Sequence, residues 1–150
     1  MRDHCYDYNV ALAYRSVLAE CRDRPALVRR GGALLMHGAL DAHANRIAHA
    51  LTSLGVRRRD VVAIVQTKTN ECYAAMLACL KLGAAYVNID DRNPPARLLH
   101  IFRAAQPTLI VGAALPAPVQ RAAAEAGMPI LDFTDPATIG LLARVPDEEP

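Results

Sequence analysis

Two rhythms of apolar and polar positions run along the chain. Val10, Ala13, Tyr14, Val17, Leu18 and Cys21 recur at the i, i+3, i+4, i+7 spacing of a one-sided helix, with Asn9 placed to cap it and Pro25 to end the region. Short apolar runs at 26–28 and 33–35 flank Gly31-Gly32. A glycine pair supplies positive φ for a tight turn, so an antiparallel hairpin is predicted there. A second helix is predicted over 39–54. Leu40, Ala44, Ile47, Ala48, Leu51 and Leu54 form its buried stripe, and Asp41, Asn45, Arg46 and His49 fall largely outside that stripe. Gly55 is placed to end it.

From residue 61 the rhythm changes. Val61 to Val65 is a short β-branched run and reads as a buried strand. Thr69 or Asn70 then caps a helix to about residue 82 that is apolar on nearly every side, hence buried within a larger body. A strand follows at 84–89. Asn93 is expected to cap the next helix, with Pro94 and Pro95 tolerated in its first turn and Leu98, Ile101 and Phe102 buried. The pattern repeats with a strand at 108–111, an Ala-rich helix ending at Gly127, and a strand at 129–133. Strands near residues 61, 85, 108 and 130 thus alternate with helices at roughly 22 to 24 residues. That alternation predicts βαβ units: an α/β fold with a largely parallel sheet, flanking helices and right-handed crossovers. The segment 135–150 turns proline-rich and acidic and reads as a truncated linker after a domain spanning 1–134.

Composition narrows the class. Over 150 residues, 53% are hydrophobic and 21% charged, which supports a packed core and argues against disorder. A net charge of +2 is too small to imply nucleic acid or an acidic membrane as partner. With no Trp and 5% aromatic residues, a base-stacking surface is not expected. The opening MRDHCYDYNV lacks the apolar core of a secretory signal, and no apolar run approaches the ~18 residues of a membrane span, so a cytoplasmic protein is expected. Cys5, Cys21, Cys72 and Cys79 form no C-x-x-C pair, and the last two, seven apart on a helix, read as small core residues.

Candidate chemistry is sparse. Asp90 and Asp91 end a strand, where open α/β sheets bind ligands, but they also precede a helix N-terminus, where negative charge is favoured for purely structural reasons. A magnesium site would need further oxygen ligands that the local sequence does not supply. The stretch Gln66-Thr67-Lys68-Thr69-Asn70 lies between strand and helix, where a phosphate could dock beside Lys68, yet the glycines of a phosphate-wrapping loop are missing. Arg57-Arg58-Arg59 reads as a solvated surface. His43 and His49 are six apart and do not share a helix face, which makes them poor metal partners. No catalytic, cofactor-binding or metal-binding residue is assigned.

The stretch "LKLGAAYVNIDDRNPPARL" resembles the second core motif of the amino-acid adenylation domains of nonribosomal peptide synthetases, in the adenylate-forming, AMP-binding superfamily. "ALLMHGALDAHANRIAHALTSLGVRRRDVVAIV" resembles the region around the first core motif, "CRDRPALV" the segment before it, and "AAQPTLIVG" the strand after the second. The likeness runs from about Tyr14 to Leu131. It has departures. Met36 and Ala39 stand where the family has the Thr and Glu of a capping box, whose loss typically costs about 1 kcal/mol. Asn88 and Asp91 stand where the family has prolines, while Asp90 keeps the family position.

The resemblance implies the N-terminal subdomain of the adenylate-forming fold. It implies a parent chemistry of amino acid plus ATP giving aminoacyl-adenylate and pyrophosphate, with ATP and Mg²⁺ as cofactors of the full-length family. The phosphate loop and substrate pocket of that family lie beyond the matched motifs. The expectation is therefore a fragment that is inactive alone and needs no cofactor of its own. Its partners are expected to be the remainder of an adenylation domain, or a second copy by self-association. A non-catalytic interaction protein and a decayed gene product are the alternatives.

Overall fold

In the computed structural model, which describes residues 10–29 and 31–150, the two rhythms become two regions. The first holds α1 (Val10–Cys21), the strands β1 (Pro25–Val28) and β2 (Leu34–Met36), and α2 (His37–Ser53). The second alternates β3 (Val61–Val65), α3 (Asn70–Leu82), β4 (Ala85–Ile89), α4 (Pro95–Ala105), β5 (Leu109–Gly112), α5 (Ala117–Glu125), β6 (Ile130–Asp132) and α6 (Pro136–Leu142). β1 and β2 pair antiparallel as a hairpin, its turn passing through Gly31 and Gly32 at φ +100° and +86°. The main sheet is parallel, in the order β4-β3-β5-β6.

Side chains of a strand point alternately to opposite faces, and each face of this sheet is covered. Val62 and Ile64 of β3 enter one core with residues of α2 and α3, whereas Ala63 and Val65 enter another with Leu98 and Phe102 of α4 and Val119 of α5. The result is three layers, helix on sheet on helix. α3 packs on the sheet with one side and on α2 with the other, which explains a helix apolar nearly all round. Thr69 is its cap, accepting from the Cys72 amide at 3.4 Å, and Gly83 ends it at φ +66°.

α2 starts at Met36 with no side-chain cap, as the missing capping box requires. Its first amides are satisfied by other means. The His37 amide donates to the Arg24 carbonyl at 3.0 Å and the Gly38 amide to the Arg22 carbonyl at 2.9 Å. Gly38 allows that approach, since a Cβ there would stand 2.7 Å from Arg22 Cγ and 3.3 Å from its carbonyl oxygen.

Four expectations change. The stripe assigned to α1 is covered in part: Ala13, Tyr14, Leu18 and Cys21 are half-buried, but the fully buried residue is Ala11, and Val10 and Val17 are 66% and 47% exposed. α1 lies at the edge of the helical layer, where one flank only is covered; Asn9 lies outside the described residues. On α2, Leu54 is exposed, because the helix ends one residue earlier, and Asn45 is buried at 3% exposure. Asn93 does not cap α4. Pro94 holds the cap position, one residue too late for Asn93 to reach the first-turn amides, and the Asn93 side-chain amide donates to the Asp90 carbonyl at 3.0 Å. The stretch read as a linker from 135 on contains α6, whose Thr138 and Leu142 are buried. Among the described residues, no helix is long and apolar enough to cross a membrane.

Candidate functional site

In a parallel sheet of this order, the topological switch lies between β3 and β5, and the crevice outside their carboxyl ends is the default ligand site. At the end of β5 an apolar side chain packs close to the backbone. Leu115, buried after β5, lies against Gly112: a Cβ on Gly112 would stand 2.6 Å from Leu115 Cδ2 and 3.1 Å from Val65 Cβ at the end of β3. Glycine at 112 lets Leu115 and Val65 pack this closely, within the apolar core on the α4–α5 face of the sheet.

The open cleft at this end of the sheet lies on the other side of β3. It has a volume of about 500 Å³ and is bounded by Gln66, Thr67 and Lys68 after β3 and by Asp90, Asp91 and Arg92 after β4. The structure therefore brings together the two candidate stretches of the sequence, but each spends its polar groups on itself. The Gln66 amide donates to the Ile89 carbonyl at 2.8 Å, and its side-chain oxygen accepts from the Lys68 amide at 3.1 Å. Lys68 sits in the left-handed region at φ +58° with an exposed side chain.

Asp90 likewise closes on a neighbour. Oδ1 accepts from the Arg92 amide at 2.9 Å and from Arg92 Nε at 3.0 Å, and Oδ2 accepts from Nη2 at 2.8 Å. These hydrogen bonds from Arg92, side chain first and backbone second, hold the Asp90 carboxyl well below the usual carboxylate range. Asp90 and Arg92 neutralise each other, so Asp90 and Asp91 are not a paired-carboxylate centre. Among the described residues no group of three or more His, Cys, Asp or Glu could hold a metal ion.

A third acid at the same end of the sheet was not singled out by the sequence. Asp132 ends β6. Its Oδ1 accepts from the Ala114 amide at 3.0 Å, the Thr134 amide at 2.9 Å and the Thr134 hydroxyl at 2.7 Å, and Oδ2 accepts from the Leu115 amide at 2.8 Å. Partial burial works to raise its pKa, but the bonds from Thr134, Leu115 and Ala114 together outweigh it and the net shift is downward. Asp132 holds the β5–α5 turn, with Ala114 in it at φ +53°, and so keeps Leu115 packed on Gly112. The available signal was an Asp two residues before Thr at the end of an apolar run, an Asx turn.

The remaining candidates serve the fold. Arg57 donates to the Thr52 carbonyl at 3.0 Å and the Val56 carbonyl at 3.3 Å, capping the end of α2, and all three arginines of 57–59 are exposed. His49 reaches the Glu148 carbonyl at 3.1 Å and is not paired with His43. Cys72 and Cys79 are fully buried, and burial pushes the Cys79 thiol up to about 12 against a small opposing effect of its own backbone hydrogen bond. Cys5 lies outside the described residues.

A parallel α/β scaffold carrying both core-motif stretches points to one comparison. Residues 14–149 match the family described as AMP-binding enzyme. The chain belongs to the AMP-binding enzyme family. This AMP-binding chain is 35% identical over 123 residues to the probable non-canonical nonribosomal peptide synthetase CymA of Salinispora arenicola, covering 82% of this chain and 2% of that protein. It is 38% identical over 81 residues to the nonribosomal peptide synthetase sidE of Aspergillus fumigatus, covering 54% of this chain and 4% of that protein. It is also 35% identical over 105 residues to the isonitrile lipopeptide synthase of Mycobacterium tuberculosis, covering 70% of this chain and 4% of that protein. The chain thus spans a small fraction of the length of the relatives it matches.

Among solved structures, the N-terminal domain of FACL13 from Mycobacterium tuberculosis superposes with a TM-score of 0.83 at 22% identity, over 95% of this chain and 37% of that one. A benzoate CoA ligase from Burkholderia xenovorans gives 0.81 at 21% identity, over 93% and 29%. The fold is thus that of the N-terminal part of adenylate-forming enzymes, and the chain corresponds to a fraction of such a domain. The likeness of the core-motif stretches to nonribosomal peptide synthetase adenylation domains holds.

Proposed function

We propose that this chain is the N-terminal scaffold of an amino-acid-adenylating unit, which joins amino acid and ATP as aminoacyl-adenylate and releases pyrophosphate, in the cytoplasm. The nonribosomal peptide synthetases among its sequence relatives support the amino-acid branch of the family. The observation that carries the scaffold role is the state of the polar groups at the carboxyl ends of β3 and β4, which bond to neighbours in this chain. ATP and Mg²⁺ do not fit the residues present: the 66–69 loop has no glycine to wrap a phosphate, its Gln66 side chain is taken by the Lys68 amide, and Asp90 is held by Arg92. Those groups would be bound by the remainder of the domain, and the residues of this chain carry out no chemical step.

The same reading assigns a surface to that remainder. Val10, Leu12 and Val17 of α1 and Val28 and Leu34 of the hairpin are large apolar side chains left exposed, and the FACL13 domain that superposes on this chain is far larger. The rest of an adenylation domain covers them. The test is to co-express the chain with the downstream two-thirds of a related adenylation domain and measure amino-acid-dependent ATP–pyrophosphate exchange. Exchange by the co-purified pair and none by either part supports the proposal. Exchange by the chain alone, or two parts that elute separately by size exclusion, contradicts it; a homodimer of the chain alone would favour self-association instead.

A further inference from the structure

Beyond α6 the chain turns back over α2 and is fastened there from two helices. Arg15 of α1 pairs with Glu149 at 3.0 Å, and Arg46 of α2 pairs with Asp147 at 3.0 Å. Asn45 donates to the Asp147 carbonyl at 2.7 Å, and His49 Nε2 donates to the Glu148 carbonyl at 3.1 Å. Asn45, Arg46 and His49 present one surface of α2 to a single extended segment.

Behind that segment lies a buried charge pair. Lys81, in the last turn of α3, meets Asp41 of α2 at 2.8 Å with the two side chains 6% and 13% exposed. Both line a cavity of about 410 Å³ whose other wall is Asp147, Glu148 and Glu149. The side-chain oxygen of Asn45 is buried there with no hydrogen-bond partner among the described residues. One wall of this cavity is therefore a short length of chain held by two exposed ion pairs and by the hydrogen bonds from Asn45 and His49. Such pairs add little stability and are screened by salt, whereas a buried pair is costly to uncover. The wall opens at far smaller cost than the α2–α3 packing behind it.

We propose that residues 147–149 form a detachable acidic strap that closes this cavity and governs solvent access to the Asp41–Lys81 pair. The strap ties α1 to α2 at the same time, so its release uncovers the polar face of α2 that Asn45, Arg46 and His49 form. This inference does not depend on the proposed adenylating role.

The chain offers a clean probe, because Lys68 and Lys81 are its two lysines. Lys68 is exposed in a loop and serves as internal reference. The purified full chain is treated with a water-soluble acetylating reagent, and the two lysines are followed by mass spectrometry. Lys81 reacts more slowly than Lys68, and Arg46→Glu raises its rate about fivefold relative to Lys68, the size that loss of an exposed ion pair permits. Adding Asp147→Arg to Arg46→Glu restores the pair with its charges exchanged and returns the protection. The unaltered chain, which needs no variant to fold, shows the same rise between low and high salt. Equal rates for both lysines in the unaltered chain, a Lys81 rate indifferent to salt, or a rise in Arg46→Glu that Asp147→Arg does not reverse would each overturn the proposal.

Discussion

Met36 and Gly38 show how a lost side-chain cap is made good by backbone. The Arg22 and Arg24 carbonyls take the first two amides of α2, and Tyr14 donates its hydroxyl to the His37 carbonyl at 3.0 Å from α1. Gly38→Ala forces a Cβ against Arg22 and should lower stability by about 1–3 kcal/mol in urea unfolding. Met36→Thr places a hydroxyl acceptor at the cap and should raise it by about 1 kcal/mol. Titration adds a second expectation at this scale. Burial raises Cys79 to about 12 from an ordinary 9.0; burial, then the charges of Asp41 and Cys21, raise Tyr14 to about 12 from 10.0. Both acids bind their protons more tightly in the folded chain, so the unfolded chain ionises first. Their contribution to stability is fully present below about pH 9 and is lost as pH rises from there toward 12. The urea midpoint should fall between about pH 8 and about pH 10.5, and Cys79→Ala should reduce the fall.

At the scale of elements, Asp132 joins the end of β6 and the adjoining turn at Thr134 to the β5–α5 turn, 17 and 18 residues away in sequence. Asp132→Ala removes a partly buried carboxylate serving four donors and should cost about 2–3 kcal/mol by urea unfolding. The loosened Leu115 should then show faster amide exchange than the core of β3. What the sequence made legible and what it hid divide along the same line. The helices α2 to α5 and the strands β3 to β6 were readable because period, β-branched runs and terminal glycines are local signals. The α1 burial, the Asn93 cap, the Asp132 staple and the buried Asn45 were not, because each is set by what stands opposite in space. Pro136 and the acids after it looked like a linker from composition, yet Pro at the first helical turn starts α6, and Arg15 and Arg46 supply the charge that holds the tail.

For the whole molecule, the sequence placed the candidate stretches at the right end of the sheet but not what surrounds them. Gln66 to Asn70 lacks glycines, and in the structure the Gln66 side chain accepts from the Lys68 amide of the same loop; the packing of Leu115 on Gly112 was hidden, since nothing local in Gly112-Ala113-Ala114-Leu115 announces it. Three layers and a doubly covered sheet make a platform whose exposed apolar side chains lie chiefly on α1 and the hairpin. The most direct test is equilibrium dialysis of the purified chain against labelled ATP with Mg²⁺. A scaffold whose 66–69 loop has no glycine and whose Asp90 is held by Arg92 retains no saturable nucleotide. Saturable ATP binding by the unaltered chain, abolished by substitution at Lys68 or Arg92, would show that the cleft between β3 and β4 is a working site and would contradict the account.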